Sequence, residues 1–135
     1  MTSRLTDWLP AGRTITMRPA GTWWDAVRAP RHLGLTALGV LGSTSGAVIE
    51  DPGSGSLLWL VEPGRSVNLR SLPEAAAVEV YSETMHVPVP GPQRTAGPLW
   101  RIPPTTRRWA TSAAALEQAL RYAVARELGP RGSLP

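Results

Sequence analysis

The sequence predicts an α+β fold: a small sandwich whose mainly antiparallel sheet, of about 5–6 short strands, is covered by two helices. The first half carries a β-α-β-β order, and the second half carries further short apolar segments ahead of one strong closing helix. With 14 prolines and 13 glycines in 135 residues, long uninterrupted elements are rare and short ones are the rule.

Residues 1–20 read as loosely held, and Asp7, Pro10 and Arg13 break any continuous apolar run there. A single domain is expected over 21–128, with "GPRGSLP" at 129–135 as a flexible tail. "TWWDAVR" at 22–28 has the aromatic and β-branched character of a strand. Pro30 then suits a first helical turn, where a missing N–H costs nothing. Leu35, Leu38 and Leu41 recur at helical spacing before Gly42, a natural stop, while Gly34 and Gly39 leave that helix dependent on packing.

Next, "GAVIEDPGSGSLLWLVEPG" reads as a β-hairpin, with strands near Ala47–Glu50 and Leu57–Val61 around a Gly/Ser/Pro loop. "AAVEVYS" and "MHVPVPG" predict another pair of strands, the second pushed to an edge by Pro88 and Pro90. "GPLWRIPP" adds one more. After Ser112 the chain predicts a helix with Leu116, Leu120, Ala123 and Val124 on one face and Gly129-Pro130 as terminator.

Composition narrows the chemistry. There is no cysteine, so disulfides and thiolate metal sites are excluded, and His32 and His86 stand in no metal-ligand spacing. All 14 basic residues are arginine, and lysine and phenylalanine are absent, a bias that a GC-rich genome explains. The net charge of +4 favours anionic partners only slightly. No apolar run approaches the roughly 18–20 residues that span a bilayer, and no secretory h-region is present. The expectation is a cytoplasmic protein without a membrane role.

Individual motifs are mostly accounted for by structure. "GSGS" at 53–56 lacks the Lys-Ser/Thr of a phosphate loop and joins two strands, so a hairpin loop is expected. Asp51-Pro52-Gly53 is turn chemistry rather than half of a metal pair with Glu50. His32, Ser43, Ser45, Asp25 and Asp51 supply the ingredients of a hydrolytic triad, but no strand–elbow–helix context exposes a serine. Two arginine sets remain. Arg28 and Arg31 flank the first strand-to-helix junction; Arg94, Arg101, Arg107 and Arg108 interleave with Trp100 and Trp109 before the last helix. Such a set could contact phosphates and stack bases, or else cover apolar surface with its stems.

Taken together, "DAVRAPRHLGLTALGVLG", "SGAVIEDPGSGSLLWLVEPG" and "VPGPQRTAGPLWRIPPTTRRW", followed by the alanine-leucine helix, resemble small actinobacterial relatives of the bifunctional primase–polymerase N-terminal domain. The similarity spans residues 21–126 and rests on pattern and order. It implies an RRM-like, primase-like sandwich. Active members bind metal through a hydrophobic-Asp-x-Asp strand, a Ser-x-His element and a third acid, because phosphoryl transfer uses metal ions to stabilise the attacking and leaving oxygens. In this chain the Asp-x-Asp position falls on Arg28-Ala29-Pro30, the histidine position falls near Ser56, and the third acid falls on Glu79. A cation and a proline cannot hold Mg²⁺, and no Asp-x-Asp or Asp-x-Glu occurs anywhere.

The resemblance therefore implies a non-enzymatic binding or regulatory module without metal or cofactor. Its anionic ligand, nucleic acid or nucleotide, would meet an arginine-bearing face. The expected binding residues are Arg28, Ser56, Glu79 and Arg101 on the former catalytic face, with Arg31, Arg94, Trp100 and Arg107. The alternative is a protein–protein module or homodimer anchored by Trp23 and Trp24, whose rings would lie on opposite faces of one strand.

Overall fold

The computed structural model describes residues 4–129. Its strands are β1 (Ile15–Pro19), β2 (Asp25–Pro30), β3 (Val48–Asp51), β4 (Ser56–Val61), β5 (Glu79–Tyr81), β6 (His86–Pro90) and β7 (Leu99–Ile102). Its helices are α1 (Arg31–Leu41) and α2 (Ala113–Leu128). The expected α+β sandwich is present, with seven strands in two antiparallel sheets and two helices.

Five strands form the main sheet in the order β5-β2-β4-β3-β7, every neighbour antiparallel. β2 and β3 thus run the same way with β4 between them, and α1 joins them: a split β-α-β unit. Where a second crossover helix would lead into β5, the chain instead makes short 3-10 turns at Val67–Ser71 and Glu74–Ala76. α2 arrives from the far end of the chain and packs beside α1.

Side-chain alternation divides the core into two layers. Val27, Ala29, Val48, Leu57, Trp59 and Val61 face α1 and α2, meeting Ala37, Leu41, Leu116 and Leu120. Ala26, Ile49, Leu58 and Leu60 face the other way, toward a two-stranded ribbon of β1 and β6 whose Val87 and Val89 close that layer. Gly34 matters here: a Cβ at that position would lie 2.9 Å from Leu57 Cδ1, so glycine lets α1 sit close on β4.

Several expectations need correction. The first strand begins at Asp25 rather than residue 22, because the chain turns at Gly21, whose N–H bonds to Trp24 O at 2.7 Å. Pro30 ends β2, opposite Ser56, and caps α1, so no loop separates strand from helix. β5 and β6 do not pair with each other: β5 joins β2, and β6 joins β1. The segment before residue 21 is not loosely held over its described part. β1 lies there, and Trp8 is fully buried, its ring 5.9 Å from those of Trp24 and Trp109 and 6.2 Å from that of Trp100. Residues 1–3, and the expected tail apart from Gly129, lie outside the described residues.

Candidate functional site

β2, β4 and β5 bring Arg28, Ser56 and Glu79 together on the sheet face away from the helices. In the ladder, Arg28 lies directly opposite Glu79, and Ser56 lies one diagonal step away on β4. Arg28 Nε donates to Ser56 Oγ at 3.0 Å, and Arg28 Nη1 donates to Glu79 Oε1 at 2.7 Å. Tyr81, two residues beyond Glu79 and hence on the same face, donates its hydroxyl to the same oxygen at 3.2 Å. Ser54 extends the network from the β3–β4 turn, with its Oγ 2.6 Å from Ser56 Oγ and donating to Asp51 Oδ2 at 3.0 Å.

The cluster is accessible: the Arg28 and Glu79 side chains are 30% and 54% exposed. The bond to Glu79 raises the Arg28 pKa against the opposing effect of burial, so the guanidinium stays charged. Burial, and then the Glu79 charge, raise the Tyr81 pKa, keeping the phenol a neutral donor. Nε and Nη1 are committed to Ser56 and Glu79, and the Tyr81 hydroxyl also interacts with the guanidinium. A partly exposed planar cation beside two hydroxyls can contact an anion directly; the adjoining carboxylate opposes that contact.

The other expected binding residues lie elsewhere. Arg101 sits on the helix-side face, where its Nη1 donates to Glu50 Oε1 at 2.8 Å. Arg31 Nε reaches Glu50 Oε2 at 3.0 Å from the start of α1. Arg31 first, then Arg101, hold the Glu50 carboxyl below the usual carboxylate range. Arg94 is a structural clamp, donating to the carbonyls of Pro98, Arg13 and Ala96. Trp100 is buried and donates Nε1 to Pro90 O at 2.6 Å, so it offers no stacking platform. Arg107 is exposed in the loop before α2.

The tryptophan pair is also corrected. Trp24 is fully buried, and Trp23 packs against the same ribbon-side cluster, so the two rings do not project from opposite faces of a strand. Trp24 Nε1 is the buried side-chain polar atom without a hydrogen-bond partner among the described residues. Asp25, one residue on, is buried and accepts from Gly64 N and Ser66 Oγ, each at 3.0 Å, which ties the turn after β4 to the start of β2.

Tyr81 and Ser54 were not singled out from sequence. Both were reachable by the i, i+2 rule, since Tyr81 follows Glu79, and Ser54 precedes Ser56, by two positions. Comparison with family models, curated proteins and solved structures returns no match to this chain. Among the described residues, no helix is long and apolar enough to cross a membrane.

Proposed function

We propose that this chain is a non-catalytic binding module on a degenerate primase–polymerase-like scaffold, and that it takes an anionic ligand, a nucleotide or nucleic-acid phosphate, at the partly exposed Arg28 end of the ribbon-side sheet face. What supports this most is the direct bonding of Arg28 to both Ser56 and Glu79 at a partly exposed site. These are the three positions that the resemblance aligns with a metal-binding set. A guanidinium in that place exchanges a cation site for an anion contact.

Glu79 tempers the affinity, since a phosphate approaching Arg28 must come within reach of a carboxylate. Binding is therefore weak and strongly salt-dependent, because its driving force is charge–charge contact at an exposed surface. Fluorescence anisotropy with single- and double-stranded oligonucleotides, and competition by nucleotides, tests the reading across a salt series. The expected result is binding that declines steadily as salt rises. Absence of binding at low ionic strength would overturn it.

A further inference from the structure

The two-stranded ribbon has one blocked edge and one open edge. In the antiparallel ladder Gly91 N–H bonds to Thr14 O at 2.7 Å and Ala20 N–H bonds to Met85 O at 2.8 Å. The register between them runs Ile15↔Pro90, Thr16↔Val89, Met17↔Pro88, Arg18↔Val87 and Pro19↔His86. Because hydrogen-bonded and non-hydrogen-bonded pairs alternate, Thr16 and Arg18 turn their backbone groups toward β6, while Ile15 and Met17 turn theirs outward. The same alternation turns Pro88 and Pro90 outward on β6, where neither has an N–H to offer. β6 is thus closed to a further strand. Among the described residues nothing pairs with the outer edge of β1, and its outward-bonding residues are exposed and apolar, Ile15 at 39% and Met17 at 55%.

We propose that the β1 edge pairs with the β1 edge of a second copy of this chain, antiparallel about a two-fold axis at Thr16. The free backbone groups select this occupant because they are self-complementary. Ile15 of one copy meets Met17 of the other as a hydrogen-bonded pair, and the axis repeats the pair, so the free N–H and C=O groups of both residues are matched. Pro19 ends the outward series on one side by lacking an N–H, and on the other the Arg13 carbonyl is held by Arg94 Nη1 at 2.9 Å. The usable edge is therefore as short as its own mirror partner. Charge agrees with this register: Arg18 stands opposite Thr14 and Arg13 opposite Pro19, so no arginine faces another. Because the outer edges of the resulting four-stranded ribbon are the proline-blocked β6 strands, assembly stops at two copies.

The absence of cysteine makes the geometry directly testable. Thr16 faces its own copy as a non-hydrogen-bonded pair with Cα atoms about 4.5 Å apart, within the span a disulfide bridges. Ile15 residues of the two copies are diagonal neighbours about 7–8 Å apart, beyond it. Mild oxidation of the full chain carrying Thr16→Cys should give a covalent dimer, and Ile15→Cys should give far less. In sedimentation equilibrium, Met17→Pro should weaken self-association roughly tenfold or more by deleting an outward donor while sparing the β1–β6 ladder. Val40→Lys, on the exposed side of α1, should leave association unchanged, and circular dichroism checks that each variant is folded. A parent chain that stays monomeric at high concentration, equal cross-linking at positions 15 and 16, or a dimer indifferent to Met17→Pro would each overturn the proposal.

Discussion

Among the described residues, Glu50 is the carboxylate gripped by two arginines, and its side chain is only 15% exposed. Its bonds to Arg31 and Arg101 hold its pKa down in the fold. A carboxyl depressed in this way contributes stability above its unfolded pKa and loses it as pH falls through the folded value. Urea unfolding from neutral pH downward should show stability falling through and below the ordinary glutamate range, and Glu50→Gln should flatten that limb. An unchanged slope in the variant would contradict the assignment. Arg28 differs in kind: its carboxylate partner is half exposed, so little stability is expected from the pair. Arginine identity alone could not separate these roles. Arg28, Arg94 and Arg101 are alike in sequence, yet one bonds Glu79 on the ribbon-side face, one binds backbone carbonyls and one binds Glu50.

At the scale of elements, α1 shows how packing overrides propensity. Gly34 and Gly39 both weaken the helix intrinsically, but their surroundings differ. A Cβ at Gly39 meets nothing within 4 Å, whereas at Gly34 it would press on the buried Leu57 side chain. Gly39→Ala should stabilise the protein by about 0.5–1 kcal/mol, and Gly34→Ala should destabilise it by about 1–2 kcal/mol, both read from urea midpoints. Shifts of the same sign would refute the close α1–β4 contact. Elements with a clean local period were legible in the sequence. The β3–β4 hairpin and the α2 face of Leu116, Leu120, Ala123 and Val124 stand as expected. Pairing between distant strands was not legible. Nothing local says that "EVY" adds to β2 while "HVPVP" turns to β1, because that choice depends on where the ribbon-side tryptophans pack.

For the whole molecule, the sheet carries a core on each face, and the ribbon-side core is closed by the segment that looked least structured. Trp8 touches Trp24, Trp100 and Trp109, joining the start of the chain to β7 and to the loop before α2. Trp8→Ala should cost about 3–5 kcal/mol and lower the whole unfolding transition, not merely fray the first residues. A variant that keeps the parent midpoint by tryptophan fluorescence would show that the ribbon-side layer is dispensable. The sequence concealed this role because the apolar group Leu5, Trp8 and Leu9 is cut off at once by Pro10 and Gly12, too short a run to read as an element. The candidate site was more accessible. The resemblance named Arg28, Ser56 and Glu79 separately, and the sheet register places them in contact; Arg101, named with them, lies across the sheet.

The central claim, that Arg28 presents an anion-binding edge restrained by Glu79, rests most directly on two variants measured side by side. Oligonucleotide anisotropy at low salt should show Arg28→Met weakening binding several-fold and Glu79→Gln strengthening it, because one removes the contact and the other its competitor. Equal affinities for the parent and both folded variants would contradict the account.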